Sequence, residues 1–426
     1  MNNKIYNRVI INNIKKWLER PEIIVITGAR QTGKTFLAKK ILPNITKKKI
    51  KYFNFEDFEL IELFKKSPKD FINNILKKEY IYIFDEFQKL PEFTGFLKVF
   101  YDKNKTDFPK IFLTGSSSLE IQKNVSESLA GQSIVFNIFS LSFLEKYDFK
   151  EIDFLTNILN DKQNFDVNAL KKKIFFNENK IKRKFNQYIL DGGYPELGEF
   201  KDDLKWEKLK SIIKAIMEKD LQSLIKNEHL YLSKKLLEII AFRVGNLISF
   251  ENLASEMQIN IKTVRRIVAI LEGLFFINLI YPKANFANEY KKAPKIYFCD
   301  QGIRNEIIKM HDLPLDSFAI GGLVENFVFG QLRRYVAYKK DYKINFWQDY
   351  NKNEVDFILS HGKNIISIEV KYRRGQRNKI TAGIRNFIKK YNPQFHITAT
   401  YDYFGTEETE NTKIYFVPVY VFGLLI

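Results

Sequence analysis

A single cysteine, Cys299, stands in a chain of 426 residues. No disulfide can form within the chain, and a reducing cytoplasm is the expected setting. The opening residues, Met1-Asn2-Asn3-Lys4-Ile5-Tyr6, hold no apolar signal region, and no uninterrupted apolar stretch is long enough to span a bilayer. A membrane partner is therefore not expected. Acidic residues are in deficit: Lys+Arg number 69 against Asp+Glu 50, a formal net charge of +19. Such an excess favours a polyanionic partner, with nucleic acid the first candidate and DNA preferred, although a lysine-rich solvated surface would give the same number. The hydrophobic share of 45% excludes a disordered chain, and the length exceeds what one core organises.

What is present begins with Gly28-Ala29-Arg30-Gln31-Thr32-Gly33-Lys34-Thr35. It follows the apolar run Ile23-Ile24-Val25-Ile26 and leads into a helical pattern from Phe36 to Ile41. Strand, GxxxxGK[ST] and helix together make a complete phosphate-binding loop. The loop's glycines let successive N–H groups turn around phosphate oxygens, and the helix aims its positive end at the same charge. Lys34 reaches the β/γ-phosphates of ATP, and the Thr35 hydroxyl takes a place on Mg²⁺. A second buried-type strand, Tyr80 to Phe84, ends in Asp85-Glu86. There Asp85 is expected to hold Mg²⁺ and Glu86 to activate the attacking water. The strand Lys110 to Thr114 ends at Gly115-Ser116-Ser117-Ser118, which makes Thr114 and Ser116 candidate sensors of the γ-phosphate; a plain turn is the alternative.

These segments, with Phe84-Asp85-Glu86-Phe87-Gln88, Leu113 to Ser117, Ser128-Leu129-Ala130-Gly131 and Phe139 to Glu145, resemble an AAA+-superfamily ATPase. They are similar to the bacterial and archaeal family in which such a core precedes a poorly characterised C-terminal region, DUF4143. The resemblance implies an arginine directly after Leu-Ala-Gly, where this chain has Gln132, and no arginine occurs between Arg30 and Arg183. An arginine finger must then come from Arg30, a later residue, a lysine or a partner. The Gly192-Gly193-Tyr194-Pro195-Glu196 element also matches that family and reads as a structural bend.

Farther on, Ser249 caps a short helix, Phe250 to Met257, followed by a longer one from Ile261 to Phe275 and two strand-like segments, Phe276 to Tyr281 and Lys295 to Cys299. This order looks like a winged helix, with Lys262, Thr263, Arg265 and Arg266 exposed toward DNA or, alternatively, the unit packed on the core as a lid. Asn353 to Leu359 and Ile365 to Lys371 alternate as strands do, joined through Gly362-Lys363. In that register Phe357 faces Ile368 and Asp356 faces Glu369, with Lys371 one step along. Facing carboxylates need a cation between them. Mg²⁺ or Mn²⁺ on Asp356, Glu369 and Glu325 is the expectation, with Lys371 positioning water. The arrangement resembles the PD-(D/E)XK nuclease superfamily, and the basic run Lys371, Arg373, Arg374, Arg377, Lys379 would hold phosphates. A surface salt-bridged hairpin, or a nuclease-like fold that binds without cutting, are the other readings.

The expected fold is α/β: a phosphate-loop parallel sheet with helices on both faces over residues 1–145, a helical lid over 146–232, a winged helix over 233–300, and a nuclease-like α/β domain over 301–426. The expected function is ATP hydrolysis coupled to DNA binding or cutting, against a rival signalling switch that works through a protein partner. Whether copies assemble into a homo-oligomer is open from sequence.

Overall fold

The computed structural model describes all residues except 1–4, 117–120, 122–124, 126, 161–164, 201–202, 226–227, 285–288, 290–291, 313–319, 340, 375–379 and 410–411. Ser117, Ser118, Arg377 and Lys379 therefore lie outside the described residues. Five parallel strands form the first sheet: β1 (Ile23–Thr27), β2 (Lys49–Asn54), β3 (Tyr80–Asp85), β4 (Lys110–Gly115) and β5 (Ser133–Asn137), in the order β2-β3-β4-β1-β5. Alternate residues face opposite sides, and both sides are buried. Ile24, Ile26, Ile81, Ile83 and Phe112 enter one apolar core; Ile23, Val25, Tyr82, Phe84, Ile111 and Leu113 enter another. This two-sided burial explains why the strands read as continuous apolar runs. The helices Phe58–Lys66, Pro68–Ile75 and Glu92–Lys103 supply Phe64, Phe71, Phe93 and Leu97 to the second core.

The middle of the chain is helical up to a two-stranded antiparallel hairpin, β6 (Ile277–Ile280) and β7 (Lys295–Phe298). Ser249 caps the Phe250–Met257 helix through the Asn252 N–H, and Val264, Ile267, Val268 and Leu271 of the Ile261–Gly273 helix are buried. These residues share a separate core with Trp206, Leu209, Ile212, Leu236 and Ile240. By contrast, Ile158, Leu170, Ile181, Phe185 and Ile189 join the first sheet's core. The stretch 146–232 thus divides its apolar side chains between two cores.

The C-terminal sheet is mixed: β8 (Lys343–Gln348), β9 (Glu354–His361), β10 (Asn364–Lys371), β11 (Phe395–Thr400), β12 (Gly405–Glu408) and β13 (Lys413–Pro418), in the order β12-β13-β11-β10-β9-β8. β9 and β10 pair antiparallel with Phe357 opposite Ile368 and Leu359 opposite Ile366, the register read from the sequence, and Gly362 turns the hairpin at a φ of 57°. The Ile320–Tyr338 helix covers one face and the Ala382–Tyr391 helix the other. The final segment, Tyr415 to Ile426, is apolar and short and reads from the sequence as one buried final strand, and the structure departs from that. Its strand stops at Pro418, and Val419–Leu424 form a buried 3₁₀ turn. Proline sets φ and the next residues turn inward against Phe143, Phe154 and Glu178. Residues 1 to about 20, up to Pro21, read from the sequence as an amphipathic lead-in helix; the helix found there covers Ile11–Lys15.

Gly193 is where the units meet. Its N–H donates to the Asp300 carboxylate (2.8 Å), its carbonyl accepts from Leu141 (2.7 Å), and a Cβ there would overlap the Leu141 carbonyl. Asp300 meanwhile caps the Gln301–Ile307 helix through Gly302 and Ile303. The paired glycines are a close-approach joint. We expect Gly193→Ala to lower the thermal midpoint by several degrees, read by calorimetry; an unchanged midpoint would refute the joint.

Candidate functional site

β4 lies between β3 and β1, so the carboxyl ends of three strands converge. Asp85 is in register with Thr114, and Thr114 with Ile26, one residue before the turn into the loop. Gly28 has a φ of 156°, and a Cβ on it would overlap the Ile138 carbonyl, so the strand exit passes against bare backbone. Gln31 (φ 61°) and Gly33 (φ 96°) complete the curl before helical structure runs from Lys34 through Ile41.

Lys34 is buried, and its ammonium rests on the carbonyls of Gly28 (2.9 Å) and Ala29 (2.8 Å). Burial pulls its pKa down to about 8, with Glu86 and Asp85 opposing that fall. Thr35 donates to the Asp85 carboxylate at 2.8 Å, as does Tyr52 at 2.6 Å, and Thr114 bonds the other Asp85 oxygen. A hydroxyl and a carboxylate so placed fit Mg²⁺, which would neutralise phosphate charge there. Glu86 stands at a φ of 52°, left-handed and uncommon for a side-chain-bearing residue. Gln88 donates to it at 2.5 Å and Ser116 lies at 3.4 Å, while burial raises its pKa above the usual carboxylate value.

The cavity beside the loop measures about 530 Å³ and is lined by Arg30 to Phe36, Glu86, Tyr6, Arg8, Leu141, Pro195 and Phe200 among others. That volume lies within the range of about 300–1,000 Å³ usual for small-molecule sites. Two arginines stand at it. Arg8 donates to the carbonyls of Thr32 (3.2 Å) and Phe139 (2.6 Å) and pairs with Glu145. Arg30 makes a bidentate pair with Asp220, at 3.0 and 2.6 Å, which ties the loop to the helical middle of the chain. Tyr52 and Asp220 were not legible as site residues, being part of no local motif.

A phosphate-loop lysine meets phosphate as an ammonium, so the depressed pKa of Lys34 predicts a pH dependence. Below pH 8 the free protein already holds the proton, and affinity for ATP is flat. Above pH 8 binding must take up a proton, so affinity falls by about tenfold per pH unit. Titrating a non-hydrolysable ATP analogue from pH 7 to 9.5 checks this. Lys34→Arg, which does not titrate there, serves as the control, and a flat wild-type profile would refute it.

The second constellation also assembles. Glu325, Asp356, Glu369 and Lys371 come together from a helix and two strands. Asp356 accepts from the Val370 N–H (2.8 Å), the Asp356 N–H reaches Glu369 (3.3 Å), and Lys371 pairs with Glu369. Burial, then the charge of Asp356, raises Glu325 to about 7 and Glu369 to about 8. A residue outside the sequence expectation sits among them. The ammonium of Lys295, from β7, lies 3.0 Å from Glu325 and 3.4 Å from Asp356, and bonds Glu354. Tyr297 donates to the same Glu325 oxygen at 2.5 Å. Burial works against charge on Lys295, but Tyr297, Glu325, Asp356 and Glu354 outweigh it and hold the pKa well above the usual lysine value. Among the described residues no group of three or more His, Cys, Asp or Glu is placed to hold a metal ion. The divalent metal expected on Glu325, Asp356 and Glu369 does not fit this donor set as it stands, with the Lys295 ammonium on Glu325 and Asp356 and Lys371 on Glu369. The one local signal for Lys295 was a lysine opening an otherwise apolar strand.

A cleft of about 970 Å³ opens beside this cluster, bounded by Phe242, Val244 to Asn246, Arg304, Glu325, Lys371 to Arg374 and Tyr401 among others. On the Ile261–Gly273 helix Lys262, Arg265 and Arg266 are exposed and Thr263 is half-buried. Among the described residues no helix is long and apolar enough to cross a membrane.

Comparison with known proteins follows this division. Residues 20–147 match an AAA domain family; 182–313 match a domain of unknown function (DUF8612), and 320–422 another (DUF4143). An uncharacterised protein of Methanocaldococcus jannaschii is 29% identical over 87% of this chain and 79% of its own length. An uncharacterised protein of Haemophilus influenzae is 22% identical over 93% of each. Among solved structures, the Aeropyrum pernix ORC1 protein in complex with DNA aligns with 72% of this chain and 93% of its own, at 12% identity and a TM-score of 0.30. The Thermotoga maritima RuvB Holliday junction branch migration motor aligns with 63% and 86%, at 14% identity and the same TM-score. Those structural likenesses are too loose to bear weight. The phosphate loop, the acidic strand end and the family match over the same residues agree: the chain carries an AAA+ P-loop ATPase domain followed by a C-terminal DUF4143 region.

Proposed function

We propose that this protein is a cytoplasmic ATPase that couples nucleotide turnover to the binding of nucleic acid, DNA in the first place, and that it works as a homo-oligomer. The observation that carries the reading is the basic cleft. Arg304, Lys371, Arg373 and Arg374 line one opening on a chain of net charge +19. Phosphate backbone is the polyanion such a surface holds, through counterion release. The helix–turn–helix and hairpin over 250–298, winged-helix-like in order, offer a second basic face. Asp356, Glu369 and Lys371 act in this reading as part of the binding surface and its support. The nucleotide site supports the homo-oligomer: Arg8 and Arg30 are both engaged within the chain, and a second copy is a source for the finger besides a later residue or a lysine.

The test is DNA affinity across roughly 50–200 mM salt, by fluorescence anisotropy, with and without ATP. Wild type is expected to show a steep fall with salt. Arg373→Glu with Arg374→Glu is expected to lower the slope of log affinity against log salt by about 2. Weak, salt-insensitive association would sink the reading and favour the rival, an ATP-driven switch acting on a protein partner. The exposed Phe175 and Phe176 pair is the surface that rival would use.

A further inference from the structure

We infer that Lys295 is the resident cation of the C-terminal carboxylate cluster, and that it excludes the divalent metal and holds the β6–β7 hairpin onto the C-terminal domain. Glu325, Glu354, Asp356 and Glu369 are gathered into one cluster by one helix and two strands. Such a set is untenable in a low-dielectric site without positive charge. A divalent ion could supply it, with carboxylate oxygens at about 2.0–2.6 Å around it. Here the charge comes on a side chain instead. Lys295 is 2% exposed, and its ammonium contacts three of the four carboxylates, Glu325, Glu354 and Asp356. Lys371 takes the fourth, Glu369.

Backbone and hydroxyl donors satisfy further oxygens: Val370 N–H on Asp356, Asp356 N–H on Glu369, Tyr297 OH on Glu325. Gly245, at a φ of 79°, closes the cluster from the outside, where a Cβ would stand 3.2 Å from Glu325. A metal would have to expel a buried ammonium and break these bonds at once.

Lys295 also belongs to a different unit from its partners. It sits on β7, whose apolar neighbours Ile296 and Phe298 lie in the middle core, while Glu325, Glu354 and Asp356 belong to the C-terminal domain. The same contact that removes the metal therefore fastens the two units beside the basic cleft. The inference rests on the binding reading above for its meaning, but not for its test.

The test uses the full-length protein and Mn²⁺ alone as probe, without nucleotide. Wild type is expected to bind no Mn²⁺ that depends on Asp356, by calorimetry and by electron paramagnetic resonance, and to cut no DNA in Mn²⁺. Lys295→Met, an unbranched apolar replacement, is expected to gain one saturable Mn²⁺ site and a thermal midpoint that rises with Mn²⁺. Adding Asp356→Asn should remove both. Asp356-dependent Mn²⁺ binding or DNA cutting by wild type would overturn the inference, and so would a folded Lys295→Met that gains no Mn²⁺ site. Should Lys295→Met fail to fold, the wild-type arm still decides. DNA affinity measured on the same samples separates the two claims: Asp356-dependent Mn²⁺ uptake by wild type sinks the lysine lock alone, and absence of salt-dependent DNA binding by wild type sinks the binding reading alone.

Discussion

Replacing Glu86 with glutamine is expected to slow ATP turnover by about 10²–10⁴-fold while ATP still binds. The geometry sets this apart from an ordinary surface acid. Glu86 is carried just past the end of β3 in a left-handed conformation that aims its side chain toward the cavity beside the loop. Strained backbone at such a point persists because the surrounding structure holds it. Gln88 and Ser116 fix the carboxylate, and burial raises its pKa, which makes it a stronger base than a solvated glutamate once ionised. Glutamine keeps the shape and removes the basicity. Lys34→Ala should behave differently, weakening binding and turnover together, because a phosphate-loop lysine serves the phosphates in ground state and transition state alike. Phosphate release and analogue affinity, measured on both variants, separate the two roles. A Glu86→Gln protein that turns over ATP at the wild-type rate would assign the base elsewhere.

The contrast between these two residues and Lys295 shows what a linear reading can reach. The phosphate loop is contiguous: eight residues between a strand and a helix carry their own context. Asp85 and Glu86 were legible because a buried strand ending in adjacent acids has few other uses downstream of such a loop. The β9–β10 register was legible for a related reason. Side chains alternate with period two, so only one register puts Phe357 against Ile368 and Leu359 against Ile366. What stayed hidden depends on chain crossings that no period encodes. Lys295 meets Asp356 across 61 positions, and Arg30 meets Asp220 across 190. Facing carboxylates on neighbouring strands call for positive charge between them, and a divalent metal was the local way to supply it; the lysine that lies on Glu325 and Asp356 in the structure arrives from another unit, so no local pattern pointed to it. The two cores that divide the helical middle were hidden likewise, since a helix's apolar stripe does not say which neighbour it will meet.

Phe143→Ala is expected to cost about 3–5 kcal/mol and to loosen the ATPase and C-terminal sheets together. Phe143 is fully buried, and its ring packs against Tyr147, Phe149, Tyr188 and Phe327 at centroid distances of 5.3 to 6.0 Å. Those partners come from the exit of the first sheet, the Glu178–Asp191 helix and the Ile320–Tyr338 helix. Gly423 of the C-terminal turn lies so close that a Cβ there would overlap the ring. One continuous core runs from Ile24 and Ile83 through Phe143 to Ile368 and Tyr415, so the two sheets share their apolar interior. Against a total stability of about 5–15 kcal/mol, the loss is a large fraction. It also bears on function. Leu141, two residues before Phe143, lines the nucleotide cavity and bonds Gly193, so disorder at the ring reaches the ATP site through the backbone. Calorimetry on wild type should give one transition covering both sheets, and Phe143→Ala should shift that transition downward as a unit. Two separate transitions, with only one displaced by the substitution, would mean that the sheets fold independently and that nucleotide state has no packed route to the C-terminal cleft.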